Sequence, residues 1–267
     1  MLSLVVSKEI PLLHVDVYGD GPDLVLLHGW GMHGGIWADW AGELASHFRV
    51  WAVDLPGHGN SDYQGQDTLD SWASAVQDVV PENAWWLGWS LGGLVATRAA
   101  VMAPDKVTAL VTIASTPCFV RKPDWQSAML PVLLDTFAAE LAQDYVRTLN
   151  RFLALQVRGS EHSSEVLKTL RALMLVHGEP ATAALRAGLA LLRTTDLRDS
   201  LDAVECPVLL LAGERDTLVP LAAMQASREL FRDAQLQVIA GAGHAPFIAA
   251  PEIVAGLITG FLSGDVA

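Results

Sequence analysis

Basic residues are scarce in this chain. Seventeen Lys and Arg stand against 30 Asp and Glu, a formal charge of −13. A nucleic-acid binder usually shows a basic face, so that class is disfavoured. Cysteine is nearly absent too. Cys118 and Cys206 cannot make a disulfide framework, which points to a reducing cytoplasm. No long hydrophobic run occurs; stretches such as 23–27 are strand-sized, so no membrane span is expected. The start, 1–6, lacks a basic n-region and a long apolar h-region and reads as a strand, not a signal peptide. H-E-x-x-H and C-x-x-C are missing and the histidines lack ligand spacing, so no metal is expected. No G-x-G-x-x-G follows a strand with its acidic partner, so no dinucleotide cofactor is expected either. Repeats and low-complexity tracts are lacking.

What is present suits a folded enzyme. The 267 residues are 51% hydrophobic and 18% charged, enough for one large α/β domain with an insertion, or for two small domains. Only the last residues, 264–267, read as disordered. Segments 2–6 and 11–17 read as an opening antiparallel pair. Segments 24–28, 50–54, 84–89 and 107–114 are short, nearly continuous apolar runs, as buried parallel strands require. Helix-period stretches at 36–47, 68–80 and 91–102 separate them. That alternation implies βαβ units and a parallel sheet.

The alternation stops near Thr116-Pro117. Helical patterns alone follow, at 128–142, 144–156, 163–175 and 181–192. Strands return at 207–212 and 235–240, and a helix near 253–262 closes the chain. The simplest account is an α/β core, 1–116 and 197–267, split by an all-helical cap at 117–196 over the carboxyl edge of the sheet. Charge divides along the same line. Residues 121–198 hold ten basic against eight acidic side chains, while the remainder holds seven against 22.

The chemistry starts at Gly88-Trp89-Ser90-Leu91-Gly92-Gly93, a G-x-S-x-G between an expected strand and an expected helix. That context is a nucleophile elbow, the mark of the α/β-hydrolase fold. A serine hydroxyl is a weak nucleophile and needs a base, itself oriented by an acid. The fold orders these as Ser, then acid, then His. His244 in Gly243-His244-Ala245-Pro246-Phe247 and Asp216 in Gly213-Glu214-Arg215-Asp216-Thr217 both follow expected strands, on the same edge as Ser90. Glu214 is the rival acid. Leu26-Leu27-His28-Gly29-Trp30-Gly31 occupies the place of an oxyanion loop, so the backbone N–H groups of Trp30 and Leu91 are the expected donors. His28 reads as structural, and Asp54-Leu55-Pro56-Gly57-His58-Gly59-Asn60-Ser61 as a turn.

Several segments resemble the pimeloyl-[acyl-carrier protein] methyl ester esterase family. They are the run from Trp86 to Ala96, Leu26–Gly31, Ser115-Thr116-Pro117-Cys118-Phe119, Arg151-Phe152-Leu153-Ala154-Leu155-Gln156, Thr195-Asp196-Leu197-Arg198 and His244-Ala245-Pro246-Phe247. The resemblance implies a cytoplasmic ester hydrolase of biotin synthesis with the triad Ser90, Asp216 and His244. It implies that Trp30, Ser90, Leu91, Phe152, Leu153, Ala154, Leu155, Gln156 and His244 border the acyl group. It also implies an acyl carrier protein as partner. Such carriers are acidic, so the basic cap residues Arg147, Arg151, Arg158, Lys168 and Arg171 are the expected dock. A monomer is expected. Four alternatives stay open: core packing for Phe152, Leu153 and Leu155, ordinary solvated helix faces for the five basic residues, a broader esterase or lactonase with the same triad, and an idle hydrolase fold used as a receptor.

Overall fold

The computed structural model describes residues 13–174 and 176–264. Its first half runs β1 (Val15–Tyr18), β2 (Asp23–Leu27), α1 (Ala38–Leu44), β3 (Arg49–Val53), α2 (Leu69–Gln77), β4 (Ala84–Trp89), α3 (Leu91–Met102) and β5 (Val107–Ile113). Four helices follow with no strand among them: α4 (Pro131–Leu141), α5 (Tyr145–Gln156), α6 (Ser163–Leu173) and α7 (Thr182–Thr194). Then come β6 (Val208–Gly213), α8 (Leu221–Arg228), β7 (Ala234–Ile239), α9 (Pro246–Ala249) and α10 (Pro251–Ser263).

The sheet has the order β1-β3-β2-β4-β5-β6-β7, with β1 antiparallel to β3 and every other pair parallel. The central strands β2, β4, β5 and β6 are almost wholly buried, since helices cover both faces of a parallel sheet. From β2 the chain steps outward to β3; from β4 it steps the opposite way to β5. The direction therefore reverses between β2 and β4, whose carboxyl ends leave a crevice between diverging loops. The His28–Gly31 loop and Ser90 lie on either side of it.

Several boundaries differ from expectation. Segment 2–6 lies outside the described residues, and the strand expected at 11–17 is β1, paired with β3. The helix expected from 128 begins at Pro131, because the preceding stretch is a loop with two isolated bridges, Val120–Met129 and Lys122–Trp125. Proline suits the first helical turn, where its missing N–H has no partner to lose. Helix α8 is an unanticipated element. Its eight residues bury Ala223, Met224 and Ser227, too narrow a stripe to stand out in a sequence pattern. Among the described residues no helix is long and apolar enough to cross a membrane.

Candidate active site

Ser90 sits between β4 and α3 with φ 54 and ψ −116, a left-handed conformation that non-glycine residues seldom adopt. The turn is sharp enough that a Cβ on Gly92 would lie 2.3 Å from the Leu27 carbonyl oxygen. Glycine is therefore required where α3 passes behind β2. The strained turn lifts the Ser90 hydroxyl clear of the sheet, and His244 Nε2 receives it at 2.9 Å. His244 Nδ1–H donates to Asp216 Oδ2 at 2.7 Å. Asp216 Oδ1 accepts from the backbone N–H groups of Leu218 and Val219, at 2.8 and 2.9 Å. Those two bonds hold the carboxylate in one rotamer and fix the imidazole tautomer that leaves Nε2 free to accept a proton.

The histidine loop has two further anchors. Trp89 Nε1 donates to the His244 carbonyl at 2.7 Å, and the His244 N–H donates to the Gln156 carbonyl at 2.9 Å. The first comes from the elbow strand, the second from the end of α5. Ser90 is 3% exposed and His244 1%, so the relay is sealed from bulk water. Glu214, the rival acid, is half exposed; it accepts the Gly241 N–H and is no partner of His244.

On the other side of the crevice, neither the Trp30 nor the Leu91 N–H makes a backbone hydrogen bond among the described residues. One unused donor directly follows Ser90 and the other lies in the loop after β2, the two places from which an oxyanion would draw its donors. His28 has a holding role: its Nδ1–H donates to the Gly29 carbonyl and its Nε2 accepts from Leu55 N–H. Asp54 likewise accepts from Gly34 and Asn60 N–H, and its carbonyl accepts from the Ser61 hydroxyl.

The α5 residues divide. Phe152 meets the Trp30 ring edge-on with centroids 4.9 Å apart, and Leu153 and Gln156 are buried. Leu155 is half-buried. Ala154 is exposed, a departure from the expected acyl border. Two residues past Phe152 the helix has turned roughly 200°, which puts Ala154 on the solvent face. The five basic residues Arg147, Arg151, Arg158, Lys168 and Arg171 are all exposed. Arg151 already pairs with Glu140 and lies over the Phe137 ring.

Sequence spacing missed one cluster. His33, Asp54 and His177 offer ligand-type atoms within 4.8 Å of one another, because folding brings the α6–α7 connection onto the loop after β2. Their geometry is poor for a metal. The two imidazoles stack with centroids 4.2 Å apart and planes 24° from parallel, so their lone pairs do not converge. His33 Nδ1 accepts from Gly35 N–H, and its Nε2–H donates to the Leu173 carbonyl.

A serine raised on a strand–helix elbow, backed by a buried His–Asp pair at the switch point of a parallel sheet, defines a serine hydrolase. The sequence profile of the alpha/beta hydrolase fold matches residues 22–251. A pimeloyl-[acyl-carrier protein] methyl ester esterase of Nitrosomonas europaea is 46% identical over 240 residues, covering 90% of this chain and 95% of that one. Its namesake from Xanthomonas oryzae pv. oryzae is 48% identical over 236 residues, covering 88% and 93%. Among solved structures, an esterase from Exiguobacterium antarcticum superposes with a TM-score of 0.86 at 22% identity, covering 94% of this chain and 95% of that one, a likeness of fold. The chain belongs to the pimeloyl-[acyl-carrier protein] methyl ester esterase family of α/β-hydrolases.

Proposed function

We propose that the protein is a cytoplasmic serine esterase of biotin synthesis. Its substrate is the methyl ester of pimeloyl-[acyl-carrier protein], and its products are pimeloyl-[acyl-carrier protein] and methanol. The observation that carries this reading is the similarity to esterases of that name over 88–90% of the chain. Coverage that wide cannot omit the four-helix insertion, which is where hydrolases of one fold differ in substrate.

The geometry supports a two-step acyl transfer. Ser90 Oγ attacks the ester carbonyl as His244 Nε2 takes its proton, and Asp216 stabilises the imidazolium so formed. The N–H groups of Trp30 and Leu91 receive the oxyanion. As the tetrahedral adduct collapses, the methoxy oxygen takes the proton from His244 and leaves as methanol. Water then gives a proton to His244, attacks the acyl-enzyme, and Ser90 leaves with that proton restored. Residues 117–196 act as the cap, with Phe152, Leu153 and Gln156 beside the acyl chain. Arg147, Arg151, Arg158, Lys168 and Arg171 face the acidic carrier.

The test measures methanol release from methyl pimeloyl-carrier protein. Ser90→Ala should abolish it, and kcat/KM for the carrier substrate should exceed that for p-nitrophenyl acetate by about tenfold or more, some 1.4 kcal/mol of extra transition-state binding. Equal values would make the protein a broad esterase. Undiminished turnover by Ser90→Ala would remove Ser90 as the nucleophile.

A further inference from the structure

The loop carrying Trp30 is gripped from the four-helix insertion. The Trp30 indole Nε1–H donates to the Leu185 carbonyl of α7 at 2.8 Å. Gly188, three residues further along α7 and so on the same face, backs onto the same indole. A Cβ at Gly188 would lie 2.7 Å from Trp30 Cδ1, 3.2 Å from Trp30 Nε1 and 3.1 Å from Leu91 Cδ2. A methyl group there would strike the side chains of Trp30 and Leu91. These are the two residues whose backbone N–H groups are assigned to the oxyanion.

Glycine is a poor choice inside a helix, because it loses more backbone freedom on folding than alanine does. The surrounding helix, Thr182–Thr194, is otherwise rich in Ala, Leu and Arg, all good helix formers. A glycine kept in such a run needs a reason, and the close approach to Trp30 supplies one. Trp30 itself is fully enclosed, with the Phe152 ring edge-on to it. It has little room to retreat from a methyl group on α7, so a displacement there passes into the loop.

We propose that Gly188 is a positioning residue for catalysis: it sets how closely α7 seats on Trp30 and Leu91, and thereby holds both oxyanion donors in place. The inference rests on the esterase reading of the site. It does not depend on the carrier-linked substrate. Removing an oxyanion donor outright costs roughly 100- to 1,000-fold in kcat, so shifting one by a fraction of an ångström should cost about tenfold.

The experiment uses the full chain with p-nitrophenyl acetate and p-nitrophenyl hexanoate, in wild type, Gly188→Ala, Trp30→Phe and the double variant. Gly188→Ala should lower kcat about tenfold on both esters with KM within about twofold, the pattern of an interaction made mainly in the transition state. It should weaken inhibition by a small trifluoromethyl ketone by a similar factor, because the hemiketal oxyanion of that inhibitor uses the same donors. In the Trp30→Phe background, which lacks the pyrrole edge that the new methyl would strike, the added substitution should cost less than about twofold.

An unchanged kcat with only a shifted Tm would overturn the proposal and leave Gly188 a packing residue. A loss confined to the KM of the hexanoate would overturn it in favour of simple room for the acyl chain. Equal cost in both backgrounds would overturn the Trp30 contact. If Gly188→Ala fails to fold, Trp30→Phe alone still decides: it removes the Leu185 bond without adding an atom, and unchanged kcat and inhibitor affinity would sink the idea. Loss of p-nitrophenyl ester hydrolysis in wild type would instead sink the esterase reading itself. Failure on the carrier substrate alone would leave the Gly188 result standing.

Discussion

Two acids lie in one loop, and backbone geometry separates their roles. Asp216 is held by Leu218 and Val219 N–H groups while its other oxygen faces His244. Glu214 spends its carboxylate on Gly241 N–H at the surface. Asp216→Asn should lower kcat roughly 10³- to 10⁴-fold, because an amide N–H turned toward the ring stabilises the wrong tautomer. Glu214→Gln should stay within about threefold. Steady-state hydrolysis of p-nitrophenyl acetate distinguishes them, and a larger loss for Glu214→Gln would reverse the assignment. In sequence both residues follow a strand and precede a turn. Their difference appears only once the loop is folded.

The turn between β3 and α2 shows what an element can store. His58 is buried against Trp72 and His28, and burial pushes its pKa down to about 4 despite the Nδ1–H bond to the Pro56 carbonyl. Burial also drives His28 well below its ordinary value, with the neighbouring His58 adding to the effect. Both rings are neutral in the folded chain and take protons near pH 6.5 once unfolded. The unfolded state therefore binds more protons between about pH 6.5 and 4. Stability is full above that window and is lost as pH falls through it, by on the order of 3 kcal/mol for His58 alone. Urea midpoints measured from pH 7.5 to 4 should fall steadily, and His58→Gln should flatten the slope. A pH-independent midpoint in the wild type would contradict this. The Asp54-to-Ser61 motif reads as a turn from its glycines and proline alone. That its histidine is a buried, proton-sensitive part of the core depends on α2 packing over it.

At the scale of the molecule, charge and shape fall to different parts. The chain carries −13, yet the segment 121–198 has two more basic than acidic residues. On the proposed reading an acidic carrier would be repelled by the whole and attracted by the insertion, so docking would be local and screened by salt. Arg147→Glu with Arg151→Glu should raise KM for the carrier substrate by about tenfold at low ionic strength and leave p-nitrophenyl acetate within about twofold. Raising the salt should narrow the gap. Equal effects on both substrates would mean that the two arginines support the helix α5 and not a partner. Arg151 already pairs with Glu140, so Arg147, whose side chain makes no ion pair among the described residues, should carry the larger share.

The elbow, the histidine loop, the acid loop and the alternation of strands with helices are all short-range patterns. They were legible because each depends on neighbours within a few residues: glycines for a sharp turn, continuous apolar runs for buried strands, a 3.6-residue period for helices. The sequence by itself therefore determined the mostly parallel sheet, the elbow serine and the four-helix insertion, but not the short helices α8 and α9. Contacts between residues far apart in the chain were decided only by the tertiary structure. Thus Gln156 anchors the His244 loop, α7 seats on Trp30 through Leu185 and Gly188, His177 stacks on His33, and Ala154 turns to solvent. No local pattern encodes such meetings, since each is set by how the insertion packs on the core, by side-chain volume and by backbone groups that every residue carries alike.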